Sequence, residues 1–304
     1  MDLKSKIILI YGPTASGKSN FAIKLAKKVN GEIINADSMQ VYKEFKILTA
    51  RPLKKDYQEI KHHLYGVQNS KKTFSTGEWL KLATKKIIEI KKRKKVPILV
   101  GGTGLYFKAL TDGLVQLPNI PMVIRKKVRN LHNSIGQEKF YKKLLKIDPL
   151  INSKINSTDS QRSIRAYEIK LFTKKSIIEW FKNTKTVFDK KNFIKLYIDF
   201  PRPELIERIN YRTRKMLDEG AIREVISFKK MKISKDKSIN KAIGVNEIKE
   251  LIKNKISKEA VIEKISIKTR QYAKRQTTWA RGHMSDWRKL KPHDLSKYLK
   301  KKLN

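Results

Sequence analysis

The chain contains no cysteine. Disulfides, thiolate zinc sites and cysteine nucleophiles are therefore excluded. No apolar run approaches the roughly 20 residues that a membrane helix requires, and there is no internal repeat. Acidic residues are scarce: 28 Asp and Glu face 71 Lys and Arg, a formal net charge of +43. That imbalance predicts strong attraction to polyanions. Part of the excess is ordinary solvation, as in "KKRKK" at 91–95, which reads as the exposed end of a helix. The segment "TRQYAKRQTTWARGHMSDWRK" is different, because its arginines alternate with aromatics and amides. Those side chains grip phosphate and stack on bases, which points to a nucleic-acid partner.

With 304 residues, 39% hydrophobic and 33% charged, the composition suits a soluble globular protein with one elaborated domain or two ordinary ones. A glycine-rich loop lies so close to the first residue that removal of a signal peptide would destroy it. A cytoplasmic protein with no membrane association is the economical expectation.

That loop, "GPTASGKS", follows the apolar run "IILIY" and opens a helix marked by Phe21, Ala22, Leu25, Ala26 and Val29. Strand, loop and helix in this order are the context that a Walker A phosphate loop requires. Gly12, Pro13, Thr14, Ala15, Ser16 and Gly17 form the cradle, with backbone amides and a helix amino end facing the phosphates. Lys18 reaches the terminal phosphates, and Ser19 is the candidate ligand for Mg²⁺. Kinases, ATPases and GTPases share this loop, so it fixes phosphate binding and not the reaction.

Further strands are read in "EIINAD", "VPILVGG" and "FIKLYIDF", with a helix between the first two of these marked by Leu80, Ala83, Ile87 and Ile90. The alternation predicts a parallel sheet flanked by helices, of the P-loop NTPase type. Between 118 and 192 the spacings are helical and no strand is evident, which predicts an all-helical insertion. The α/β core is then 1–117 and 193–304. After Pro203 the pattern is helical, with Leu205, Ile209, Leu217, Val225 and Ile226 as expected buried positions.

Two further stretches join the loop. Asp37, in "ADSMQVY", lies beyond a strand expected to neighbour the first, which brings its carboxylate over the loop. It is open to three readings: a helix N-cap shared with Ser38, a carboxylate that orders magnesium, or a general base. In "VGGTGLY" two glycines permit close backbone approach to a ligand, and Thr103 offers a hydroxyl there. Arg212, in "NYRTRKM", reads equally as a helix-surface ion pair. His62 and His63 are adjacent, so they point to opposite faces of an extended segment and suit hydrogen bonding better than a shared metal.

The stretches "GPTASGKS", "DSMQVY", "TARP", "HHL", "PILVGGTGLYFKAL", "DSQRSIRAYEI", "AIG" and "RQYAKRQTTW" resemble, in this order and over nearly the full chain, the tRNA dimethylallyltransferases. The resemblance implies transfer of a dimethylallyl group from dimethylallyl diphosphate to the exocyclic N6 of the adenine 3′ to the tRNA anticodon. The loop would then hold a diphosphate, with Mg²⁺, and not ATP. Asp37 would be the base, with Thr103 and Arg212 beside it. The tRNA contacts implied are Asp37, Ser38, Met39, Gln40 and Thr103 near the base, and Arg125. Gln161, Arg162, Ser163, Ile164 and Arg165 add a second group, and Arg270, Lys274, Arg275 and Gln276 a third. A monomer without an obligate protein partner is implied as well. The sequence departs from the family pattern at Leu48, where glycine is usual, at Tyr65-Gly66, at Val245, where an aromatic is typical, and at Ala280, where phenylalanine is usual. These bear on packing and tRNA contacts, and not on the proposed catalytic groups.

Overall fold

The computed structural model describes residues 3–72, 74–182, 184 and 186–300. In chain order its elements are β1 (Ile7–Tyr11), α1 (Lys18–Val29), β2 (Gly31–Asn35), β3 (His62–His63), α2 (Thr76–Lys92), β4 (Val96–Gly101) and α3 (Gly104–Thr111). There follow α4 (Met122–Ile147), α5 (Ser160–Thr173), α6 (Ile177–Phe181), β5 (Phe193–Ile198) and α7 (Arg202–Met216). Then come α8 (Ile222–Lys230), α9 (Val245–Ile252), α10 (Lys258–His283), β6 (Arg288–Leu290) and α11 (Pro292–Lys300).

The six strands form one sheet in the order β3-β2-β4-β1-β5-β6, and every pairing is parallel. Side chains alternate across a strand, and β1 shows the result. Ile7, Leu9 and Tyr11 enter one core with Trp79 and Ile87 of α2, Phe107 of α3 and Ile265 of α10. Ile8 and Ile10 enter the other with Phe21 and Leu25 of α1 and Tyr298 of α11. Both faces of the sheet are therefore covered, which is why β1 reads as a continuous apolar run and not as an alternation. Helix α2 starts where Ser75 and Glu78 cap each other, Ser75 N–H donating to Glu78 Oε2 (2.7 Å) and Glu78 N–H to Ser75 Oγ (3.1 Å), a capping box.

Three expectations change. Strand β2 is not the neighbour of β1, because β4 lies between them. The edge strands β3 and β6 raise the four strands read from the sequence to six; with two and three residues, they have too little pattern to be seen. Ile226 is 37% exposed, while Val225 beside it carries the core contact. The "KKRKK" run also does more than solvate: Arg93 Nη2 pairs with the buried carboxylate of Glu32 at 2.7 Å, as does His63 Nε2.

The chain divides into a unit that extends to Thr111 and resumes at Val187, and a second unit, Asp112–Thr186. The sequence had set the division at 117/118 and 192/193. Among the described residues of the second unit all regular elements are helical. Its core brings together Tyr141 and Leu144 of α4, Ala166 and Ile169 of α5, and Ile177 of α6. Helix α4 bends at Gly136 (φ 75°), and Asp159 caps α5 by accepting from Arg162 N–H at 3.0 Å. Among the described residues no helix is long and apolar enough to cross a membrane.

Candidate active site

The phosphate loop leaves the carboxyl end of β1 and turns through two left-handed residues, Ala15 (φ 65°) and Gly17 (φ 82°), before α1 begins at Lys18. Such a turn gathers successive N–H groups into an anion-binding concavity. Not all of the loop's amides remain available. Ser16 N–H donates to Pro13 O (3.3 Å), and Thr14 N–H donates to Gln276 Oε1 (2.8 Å). The N–H groups of Ala15, Gly17, Lys18 and Ser19 find no acceptor among the described residues, and the Ser16 hydroxyl is buried without a partner. Unpaired buried donors are rare and costly. This cluster marks where an anion belongs.

Lys18 Nζ donates to Pro13 O at 3.1 Å. Lys18 is half-buried, and desolvation lowers its pKa to about 8. Asp37 acts in the opposite sense, and Arg212 pushes it further down. Arg212 does not lie on an outer helix surface: its Nη2 donates to Thr14 Oγ1 at 2.7 Å, and burial lowers its pKa as well. One helical turn earlier on α7, Arg208 lines the same cavity with its guanidinium 4.7 Å from the Phe200 ring. Sequence reasoning passed over Arg208. The i, i+4 spacing to Arg212 is the signal that places both on one face.

Asp37 reaches this site although β2 is one strand removed from β1, because β2, β4 and β1 all end at the same edge. No helix follows Asp37, only a turn, so the N-cap reading falls. Asp37 Oδ1 accepts from Met39 N–H at 2.9 Å, and its own N–H donates to Asn35 Oδ1 at 2.9 Å. Oδ2 makes no hydrogen bond among the described residues. Thr103 braces the turn: its Oγ1 accepts from Ser38 N–H at 2.9 Å, and its N–H donates to Ala36 O at 3.2 Å.

The glycines beside Thr103 let the protein's own atoms approach closely. A Cβ at Gly101 would stand 2.0 Å from the Ala36 carbonyl oxygen, and one at Gly102 would stand 2.0 Å from Gln276 Nε2. Gln276 is correspondingly buried, at 4% exposure, and its Nε2 donates to Gly102 O at 2.8 Å. With Thr14 N–H on its carbonyl, it staples the phosphate loop to the Gly102 turn. Both ends of its amide are engaged in this staple, which makes it a brace between the two turns. Gln276→Ala is expected to lower stability by about 2–4 kcal/mol, since it strips a buried donor and a buried acceptor, and to weaken diphosphate binding. Urea unfolding and diphosphate titration check this; unchanged stability with weaker tRNA binding would restore the contact role.

Two cavities meet at Asp37. One, of about 280 Å³, lies over the loop and is lined by Lys18, Ser19, Arg208 and Arg212. The other, of about 250 Å³, is lined by the apolar Leu48, Met216 and Ile243 and by Ser38, Tyr272 and Arg275. Asp37, Thr14, Thr49 and Arg212 border both. Tyr65 lines the first, with burial pushing its hydroxyl pKa up. Gln40 is occupied at its amide, donating to Thr49 O at 2.9 Å.

The remaining predicted contacts divide. On α10 Arg275 faces the second cavity, with its guanidinium 5.7 Å from the Tyr272 ring centre. Arg270 and Lys274 line a different cleft on the same helix. In the helical unit Gln161 and Arg162 are exposed, and Ile164 and Arg165 are half-buried. Ser163 is fully buried, and its hydroxyl accepts from Gln137 Nε2 at 3.2 Å, a contact within the helical unit. Arg125 is half-buried on α4, its Nε without a partner. The histidines are occupied too, His62 stacking on Tyr57 at 3.9 Å and His63 bonding Glu32 at 2.7 Å. Among the described residues no trio of His, Asp or Glu could hold a metal. Ser19 lines the loop cavity, and its hydroxyl is the group that could join a hard cation whose other oxygen ligands a bound phosphate supplies.

A fully parallel sheet with a Walker-type loop at the carboxyl end of an inner strand defines a P-loop-type α/β protein. Comparison with known proteins narrows this. The IPP transferase family model matches residues 40–283. A tRNA dimethylallyltransferase of Pelagibacter ubique is 58% identical over 301 residues, 99% of this chain and 96% of its own. Among solved structures, a eukaryotic dimethylallyltransferase acting on tRNA superposes with a TM-score of 0.83 at 30% identity, over 96% of this chain and 75% of its own. A tRNA delta(2)-isopentenylpyrophosphate transferase from Staphylococcus epidermidis does so with a TM-score of 0.67 at 33% identity, over 96% of each chain. The chain belongs to the IPP transferase family. Both the loop and Asp37 precede the residues that the family model covers; the full-length relatives span them.

Proposed function

We propose that this protein transfers a dimethylallyl group from dimethylallyl diphosphate to N6 of the adenine 3′ to the anticodon in tRNA. The observation that carries the reading is the position of Asp37 at the junction of a cationic chamber and a partly apolar one. An allylic diphosphate has those two halves, and the acceptor amine must meet its C1 where they join.

The chemistry follows from the parts. The N6 lone pair is delocalised into the purine, so the amine is a weak nucleophile. Asp37 Oδ2 is the free acceptor beside it and takes the N6 proton as the N6–C1 bond forms. The C1–O bond breaks with its electron pair, leaving diphosphate. Lys18, Arg208, Arg212 and the unpaired loop amides meet the charge that gathers there, the kind of preorganised stabilisation that dominates many enzymes. Mg²⁺, held through Ser19 and the diphosphate itself, would supply further neutralisation of that charge. The adenine leaves its stack to enter, and Thr103, through Ser38, keeps the Asp37 turn in place. Cytoplasmic tRNA is the substrate this implies.

Arg125, Arg162, Arg165, Arg270, Lys274 and Arg275, the last of which lines the second cavity, are the proposed phosphate contacts, with Gln161 as a further one. Contacts on that scale predict that tRNA affinity falls about a thousandfold between roughly 50 and 200 mM salt. A flat salt response in a filter-binding assay would mean that the positive charge is not used in this way. The function itself is tested by mass spectrometry of tRNA nucleosides after incubation with dimethylallyl diphosphate and Mg²⁺. N6-(dimethylallyl)adenosine is expected; unmodified adenosine together with ATP consumption would replace the reading with a kinase or ATPase.

A further inference from the structure

The apolar wall of the cavity beside Asp37 contains one residue whose backbone is held with unusual firmness. Leu48 lines that cavity and is 7% exposed. Behind it, the Glu224 carboxylate on α8 accepts three backbone N–H groups in succession. Lys46 and Ile47 donate to Oε1 at 2.9 Å each, and Leu48 donates to Oε2 at 3.0 Å. Hydrogen bonds to an ionised group are roughly twice as strong as neutral ones. From the other side Gln40 Nε2 donates to Thr49 O (2.9 Å) and Ala50 O (3.1 Å), and Thr49 Oγ1 donates to Phe45 O (2.8 Å). The segment 46–50 is therefore clamped at both ends.

The Leu48 side chain has nowhere to retreat. It backs onto Gly244, where an added Cβ would come within 2.6 Å of Leu48 Cδ1 and where φ is 102°, a conformation that suits glycine. Ile265 Cδ1 lies 3.3 Å from the same point. Leu48, Met216, Ile243 and Ile265 thus supply the apolar lining of this cavity, and Asp37, Ser38 and Arg275 its polar lining. A hydrocarbon tail gains by leaving water for such a surface, whereas an amine nucleophile needs the carboxylate. The two linings therefore suit the two substrates differently.

We propose that Leu48 sets the length limit of the donor's hydrocarbon chain, acting as a fixed stop that admits five carbons and rejects ten. This specificity role rests on the reading that the protein uses an allylic diphosphate. The test is calorimetric titration of inorganic diphosphate, dimethylallyl diphosphate and geranyl diphosphate into the wild type, Leu48→Ala and Leu48→Phe. Leu48→Ala is expected to shift the affinity ratio toward geranyl diphosphate by about tenfold or more, the scale on which hydrophobic pockets discriminate. Leu48→Phe is expected to weaken dimethylallyl diphosphate while leaving inorganic diphosphate unchanged. Inorganic diphosphate reports that each variant is folded, and if Leu48→Ala does not fold, Leu48→Phe decides alone. An unchanged ratio in a folded Leu48→Ala, or unchanged dimethylallyl diphosphate affinity in Leu48→Phe, overturns the proposal while the donor reading stands. Failure of the wild type to bind any of the three overturns the donor reading and the proposal with it.

Discussion

Asp37→Asn lowers the rate of prenyl transfer by about a hundred- to ten-thousandfold, the range in which a general base contributes, with tRNA affinity within a few fold of the wild type. The substitution is chosen for what it preserves. An asparagine Oδ1 still accepts from Met39 N–H, so the turn that Asp37 Oδ1 holds at 2.9 Å survives. What is lost is the proton-accepting Oδ2, which accepts no hydrogen bond from the described residues. Single-turnover transfer and filter binding on the same preparation measure both halves. Asp37→Ala removes the turn as well and loses tRNA affinity in addition. A wild-type rate in Asp37→Asn would end its role as the base and leave only the turn.

The second large effect belongs to Lys18. Lys18→Met is expected to reduce kcat/KM for the donor by about a hundred- to a thousandfold, the cost of removing one group aimed at developing charge. The wild type carries a pH signature of the same residue. Burial lowers the Lys18 pKa to about 8, so the free enzyme loses this positive charge as pH rises through that value. Donor kcat/KM therefore falls on the alkaline side of about pH 8, and bound diphosphate, which favours the ammonium, draws a proton onto the site. The groups facing Lys18 set the limb. Asp37 raises the Lys18 pKa and Arg212 lowers it, so Asp37→Asn should move the alkaline fall to lower pH, seen in donor binding, and Arg212→Met should move it higher. No movement in either variant would detach the limb from Lys18.

Much of this site was legible before any coordinates. The loop announces itself because Walker-type spacing, a buried strand before it and an amphipathic helix after it are all local features. Asp37 and Thr103 stand out because each follows such a strand directly. What the sequence hid is non-local. The order of strands depends on crossovers, so β4 rather than β2 beside β1 is not written in either strand. Gln276 lies among exposed basic residues, yet it points inward because its position on α10 faces the loop; only the helix's orientation reveals this. The glycine pair at 101–102 has the composition of a ligand cradle, and the close approach it permits is to Ala36 and Gln276 instead. Arg208 was visible as the i−4 partner of Arg212, but only once α7 was known to lean over the loop. The Glu224 clamp joins residues 176 to 178 positions apart, a separation at which sequence pattern carries no information.

The departures from the family pattern become partly intelligible in the same terms. Leu48 and Val245 both belong to the core beneath the second cavity, where a leucine beside Gly244 and a smaller residue at 245 share the space. Ala280 is buried in that core as well, on α10. At Tyr65-Gly66, Gly66 has φ 58°, and an added Cβ would stand 2.1 Å from Arg51 Nη1.

The most direct measurement is a crystal structure of the protein with an unreactive thiolodiphosphate analogue of the donor and an anticodon stem-loop. The account predicts the diphosphate within hydrogen-bond reach of the Ala15, Gly17, Lys18 and Ser19 amides and of Arg212, with the adenine N6 against Asp37 Oδ2. A diphosphate bound elsewhere, or an adenine amine out of reach of Asp37, would contradict it.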